Sequence, residues 1–133
     1  MRWADLTRLG RELPEVEEDS WYGTPALKVR GKGFVRLKED GKSVVFVLEN
    51  VDEQEHLIEA QADIYYITDH YRGWPSVLAR LARLRAPEAR LRLERAWRRK
   101  APRSLVARFD AGGATPAPRR RARPAGGSRT RAR

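Results

Sequence analysis

Residues 68–81 read TDHYRGWPSVLARL, and the first five carry Thr, Asp, His, Tyr and Arg in succession. Two of these are the raw material of a general base: Asp69 to orient a ring, and His70 to take a proton near neutral pH. Arg72 would then hold an anion. Spacing argues against that machine, because adjacent side chains on an extended backbone point apart and Asp69 cannot easily support His70. The chain has no cysteine nucleophile. None of its serines (Ser20, Ser43, Ser76, Ser104, Ser128) sits in a nucleophile elbow, and there is no HExxH, glycine-rich phosphate cradle or second histidine nearby. No catalytic residue is therefore assigned.

The same residues also have a conformational reading. Asp69 can bond its own following backbone, Gly73 can take a positive φ, and Trp74 before Pro75 is held extended, as at the start of a strand. Tyr71 and Trp74 can then pack over a sheet edge. A third reading makes the loop Asp69, His70, Tyr71, Arg72, Gly73, Trp74, Pro75 a contact surface, a wing whose Arg72 and Tyr71 meet a phosphate or a base.

Charge bears on that third reading. The 133 residues hold 28 Lys+Arg against 18 Asp+Glu, a net +10, and the excess is unevenly placed. Residues 1–79 carry 10 basic and 15 acidic side chains, residues 80–110 carry 11 and 3, and residues 111–133 carry seven arginines and no acid. Such a split implies either an anionic partner for the C-terminal part or internal pairing of the two halves. The candidate phosphate contacts are Arg72 on the loop, Arg92, Arg95, Arg98 and Arg99 on a helix, and Arg119, Arg120 and Arg121 beyond it. No helix-turn-helix, zinc-finger or RNP signature supports reading of bases.

The elements that must position these groups follow from periodicity. Trp3, Leu6, Leu9, Gly10 and Leu13 mark a short amphipathic helix ended by Pro14, and EVEEDSWYG follows as an acidic loop. Residues 24–49 predict three strands. Gly31-Lys32 suits a type II′ turn and Asp40-Gly41 a type I′ turn, and Lys28, Arg30, Arg36 and Lys38 lie on a wet face. NVDEQEHLIEAQ predicts a helix capped by Asn50 or Asp52, with His56 on its surface. DIYYIT predicts a strand, and SVLARLARL fits a helix or a strand. APEARLRLERAWRRKAP predicts a helix with Pro87 in its first turn and Pro102 as its stop. Its Ala89, Leu93, Ala96 and Trp97 form the buried sector, opposite Arg92, Arg95 and Arg99. SLVARF closes the fold as a short turn. Residues 111–133, built of Ala, Gly, Pro, Arg, Ser and Thr, are expected to be disordered, leaving 1–110 as the folded domain.

RELPEVEED, YGTPALKVRGKGFVRL, TDHYRGWPSVLARL and ERAWRRKAPRSLVARF together resemble the MmcQ/YjbR family of small bacterial proteins, over roughly residues 2–110. The resemblance implies an α+β fold like that of the bacterial frataxin homologue, an antiparallel sheet of about five strands (α-β-β-β-α-β-β-α) with helices on one side. It also implies that SVLARL is a strand paired with DIYYIT across the loop DHYRGWP. The family's double-wing label implies DNA as a partner; the alternative is a non-catalytic adaptor, on a secretion-chaperone or frataxin-like scaffold, for an acidic protein. No cofactor, metal site, small-molecule substrate or membrane segment is read from the residues. The expected location is the cytoplasm, since the N-terminus has acids and no apolar signal core.

Overall fold

The computed structural model describes residues 1–112; Arg119, Arg120, Arg121 and the rest of the arginine-rich segment lie outside the described residues. In chain order the elements are α1 (Trp3–Gly10), β1 (Val16–Trp21), β2 (Thr24–Val29), β3 (Lys32–Leu37), β4 (Ser43–Val47), α2 (Val51–Ala60), β5 (Tyr65–Tyr66), β6 (Ser76–Arg80), α3 (Ala86–Lys100) and α4 (Arg103–Ala111). The strands form one antiparallel sheet in the order β1-β2-β3-β4-β6-β5. The fold is α+β with six strands, one more than the sequence predicts.

The additional strand is β1, which the sequence presents as an acidic loop. Its Glu17, Glu18, Asp19 and Ser20 are all exposed, so no apolar alternation marks it. It holds by backbone pairing to β2, from Val16↔Val29 to Trp21↔Thr24. Carboxylates along an unpaired sheet edge also keep other strands off it.

The hairpin turns differ in detail from those expected. Tyr22-Gly23 and Arg30-Gly31 each have two positive φ values (55° and 80°, 51° and 81°), the type I′ pattern. The second turn therefore uses Arg30-Gly31, not Gly31-Lys32, as the pairing Val29↔Lys32 requires. Between β3 and β4 only Gly41 is left-handed (φ 70°). There Gly41 donates to the Lys38 carbonyl (2.9 Å) and Lys38 to Ser43 (2.8 Å), a longer connection than a two-residue type I′ turn. A register shift between Leu27 and Lys28 leaves Phe34 as an extra residue on β3.

One sheet face buries Leu27, Val35, Phe46 and Val77 in a row across four strands, beside Val44, Ala79 and Tyr65. Helix α3 packs on β3 and β4, and α1 packs on α3. Ala89, Leu93, Ala96 and Trp97 are buried as the helical wheel predicts. Trp97 donates its indole N–H to the Pro14 carbonyl at 3.0 Å. The closing segment is not a turn but a nine-residue helix, α4, whose Leu105 is buried and whose Phe109 meets Trp97 edge-on at 5.1 Å. SVLAR is a strand, as the family resemblance implies, whereas only Tyr65–Tyr66 of DIYYIT pairs with it.

Candidate functional site

On the other face of the sheet, Ala26, Arg36, Val45, Leu78 and Tyr66 are successive register partners across β2, β3, β4, β6 and β5. Arg36, expected on a wet face, is only 8% exposed. Its Nη2 donates to the Tyr71 hydroxyl (2.9 Å), and its Nη1 donates to Thr24 Oγ1 (3.2 Å) and lies 3.5 Å from a Glu39 carboxylate oxygen. Its guanidinium lies 5.3 Å from the Tyr22 ring centroid. Tyr22 and Thr24 belong to the YGTPA box and Tyr71 to the DHYRGWP loop, so the two specific sequence boxes meet at one buried arginine. Alternation along β3 points Arg36 to this face correctly, but only the folding of residues 69–75 towards it explains the burial.

Gln54 of α2, 2% exposed, holds that loop in place. Its amide nitrogen lies 2.8 Å from the Trp74 and Ser76 carbonyls and 3.2 Å from that of Tyr71. One turn of 3-10 helix (Asp69–Tyr71) and Gly73 at φ 82° complete the loop. The Asp69 carboxylate does not cap its own backbone as expected. It accepts from Arg72 at 2.7 Å instead, while His70 is exposed with its ring edge-on to Tyr71. The Asp69–His70 relay is thus not assembled. Trp74 does not pack on the sheet edge: it is 66% exposed, and Tyr22 is 75% exposed. Tyr22 also sits at φ 55°, a region bulky side chains avoid, with its ring stacked on Trp21 at 5.4 Å. A Cβ on Gly33 would come within 3.0 Å of the Trp21 ring atoms, so that glycine gives Trp21 its seat.

The helix arginines take a different course from the expected stripe. Arg92 is 6% exposed and lies between α2 and α3. Its Nη1 donates to Glu53 at 3.0 Å and its Nε is 3.8 Å from Glu88. It is not available to a phosphate. Arg95 is half-exposed and pairs with the same Glu53 oxygen at 3.2 Å. Burial works to raise the Glu53 carboxyl, but the Glu49 amide and the two guanidiniums outweigh it and hold the group below the ordinary glutamate range. Glu88 also accepts from Tyr65 Oη (2.5 Å) and Gln61 (3.2 Å), and Tyr65 is pushed well above the ordinary tyrosine value by burial first and this bond second. Arg98 pairs with Glu94 (3.0 Å) and Asp110 (2.6 Å), and Arg90 with Glu12 (3.2 Å). Of the predicted helix contacts, only Arg99 is exposed with no acidic partner among the described residues. Arg72 is exposed but carries Asp69 with it. The charge split of the sequence is therefore answered only in part within the fold: Arg90, Arg92, Arg95, Arg98 and Arg108 have acidic partners, while Arg80, Arg83, Arg85, Arg99, Lys100 and Arg103 have none among the described residues. Among the described residues, no group of His, Asp and Glu is arranged to hold a metal, and no helix is long and apolar enough to cross a membrane.

This architecture, a six-stranded antiparallel sheet with its helices on the apolar face and a clamped β5–β6 loop towards the other, defines a small α+β class. A model of the YjbR family matches residues 11–99, two thirds of the chain, and the protein belongs to that family. It is 36% identical to an uncharacterized protein of Mycobacterium bovis and to uncharacterized proteins of two Mycobacterium tuberculosis strains, across 80% of this chain and 94% of theirs. No solved structure matches the chain.

Proposed function

We propose that this YjbR-family protein is a non-catalytic DNA-associating protein that contacts backbone phosphates with little regard to sequence. The observation that supports this reading is a group of cations left over after internal pairing, in addition to Lys32, Lys42 and Arg80 elsewhere on the fold. Arg83, Arg85, Arg99, Lys100 and Arg103 have no carboxylate partner among the described residues, and all but the half-buried Lys100 are exposed. The last three fall within five positions at the α3–α4 corner, and the chain then runs from α4 into a segment with seven further arginines. Unneutralised cations so placed attract a polyanion by releasing its counterions.

The test is a gel-shift series on mixed-sequence duplex DNA at varied salt. Each phosphate contact contributes about −0.9 to the slope of log K against log salt. Arg99→Glu/Lys100→Glu/Arg103→Glu in the full chain should flatten that slope by about two to three units. An unchanged slope and affinity would remove the folded part from the interaction. Reversing Arg92 is no substitute, because that change breaks the Glu53 pairing inside the protein.

A second reading, an adaptor for another protein, is favoured by one feature. Tyr22, Trp74 and Arg72 are exposed around the Arg36 junction, and aromatic residues and arginine are the side chains that dominate binding energy at protein interfaces. Capture of one acidic protein after nuclease treatment, lost in Tyr22→Ser/Trp74→Ser, would support it over DNA association.

A further inference from the structure

A second basic feature lies away from the α3–α4 corner, at the end of the sheet where β4 starts and β6 stops. A cleft of about 640 Å³ opens there, lined among others by Arg2, Trp3, Lys42, Tyr66 and Arg80. That volume is in the range of small-ligand sites, roughly 300–1,000 Å³. Arg80 is held in place by neutral groups: it donates to the Ala62 (3.2 Å) and Asp63 (3.4 Å) carbonyls, and its guanidinium lies over the Tyr66 ring at 4.3 Å. Neither Arg80 nor Lys42 has a carboxylate partner among the described residues, and the nearest acid to the Arg2 guanidinium is Asp5 at 3.9 Å. The one carboxylate lining the cleft, Asp40, is already engaged, accepting from the backbone N–H groups of Lys42 (2.8 Å) and Ser43 (3.3 Å).

Two hydroxyl-bearing residues, Ser43 and Tyr66, also line the cleft. Ser43 Oγ and Tyr66 Oη share one hydrogen bond at 2.7 Å, and whichever hydroxyl accepts keeps its own hydrogen to give. Helix α1 begins at Trp3 on the same wall, but its first turn is already answered by the Asp5 carboxylate, which accepts from the Arg2 backbone N–H (2.9 Å), so the anion must be held by side chains. Trp3, half-buried, adds a planar apolar surface beside these charges.

We propose that this cleft binds a phosphate monoester carried on a planar base: a nucleotide, free or at the end of a strand. Arg80 and Lys42 hold the phosphate, and Trp3 lies against the base. The site is independent of the α3–α4 corner and uses none of its residues.

Titration calorimetry on the full chain tests this with four probes: inorganic phosphate, adenosine monophosphate, and a short single strand with or without a 5′-phosphate. Saturable binding of the monophosphate, about tenfold or more tighter than inorganic phosphate, is the expected result, since the base adds contacts the bare ion lacks. Arg80→Gln/Lys42→Gln removes two charge-assisted bonds and should weaken it about tenfold or more, with the folded circular dichroism spectrum retained because both side chains are exposed. Arg99→Glu/Lys100→Glu/Arg103→Glu should leave it unchanged, which separates this site from the DNA reading. A free nucleotide as the natural source predicts that the monophosphate binds at least as well as the phosphorylated strand; a strand end predicts the reverse, with the unphosphorylated strand weak. Inorganic phosphate binding as tightly as the monophosphate overturns the base contact. Absence of saturable binding by every probe, or full binding by the folded double variant, overturns the site.

Discussion

Arg36 shows how one residue can set the geometry of two distant sequence boxes. A guanidinium this buried needs acceptors, and Thr24 and Tyr71 are placed to serve. Tyr71→Phe keeps the ring and deletes one acceptor to a charged donor. It should destabilise the protein by about 1.5–3 kcal/mol, read as a lower denaturation midpoint with an unchanged m-value. Combined with Thr24→Val, the losses should not add, since both substitutions act on the same guanidinium. Full stability in Tyr71→Phe would mean that the loop is held by Gln54 alone. Gly73 belongs to the same loop for a different reason. Its φ of 82° is the left-handed region, yet nothing lies within 4 Å of where a Cβ would be. Gly73→Val is therefore penalised by the backbone and not by crowding, at about 1–3 kcal/mol. Urea denaturation distinguishes that from a neutral change, and His70→Gln, at an exposed position, should leave the midpoint where it is.

At the scale of elements, α3 is the axis on which the fold turns, and Trp97 is its anchor. The ring is fully buried against Phe109 with its N–H satisfied by Pro14, so Trp97→Ala should cost about 3–5 kcal/mol in thermal or chemical unfolding. A variant that keeps its stability and loses only nucleic-acid affinity would contradict that placement. Deleting α4 should also be destabilising, because Leu105, Phe109 and the Asp110–Arg98 pair leave with it. A chain ending at Gly112 should instead melt within a few degrees of the full one. The α2–α3 junction has its own signature in pH. Glu53 is held below the ordinary glutamate value of 4.5, so the folded form binds its proton less readily than the unfolded form does. Its contribution is present above about pH 4.5 and is lost as pH falls through the lowered folded value. Glu53→Gln should remove part of the acid-induced loss of stability below pH 4.5, measured as the melting temperature across pH 3–6 against the parent protein.

For the molecule as a whole, the question is how far a net charge of +10 is free to act outward. Arg11–Glu18, Arg30–Glu15, Arg90–Glu12, Arg92–Glu53 and Arg98–Asp110 are pairs between segments remote or distinct in the chain. The most exposed of these are worth little each and weaken with salt, whereas Arg92 is shielded by burial. If the proposed DNA association holds, added salt should reduce that affinity steeply while moving the melting temperature little.

Much of this was legible in the chain. Period-two alternation and glycine-containing turns mark β2 and β3, the all-apolar SVVFV marks β4, and Pro87, Pro102 and the spacing of Ala89, Leu93, Ala96 and Trp97 bound and orient α3. These are local patterns, readable because a strand or helix with one buried face must repeat at its own period. The edge strand β1 was not legible, since its outward residues are acidic on both faces and backbone pairing, which leaves no side-chain pattern, holds it. Arg36 reads as solvent-facing because it alternates with Val35 and Leu37 on the face of Lys38, and Arg92 because it falls opposite the apolar sector of its helix. They are buried because Tyr71, 35 positions away, and Glu53, 39 positions away, come to meet them. Local sequence settles which face a side chain points to. What covers that face, and whether a cation there is answered or left free, depends on residues that only the tertiary fold brings together.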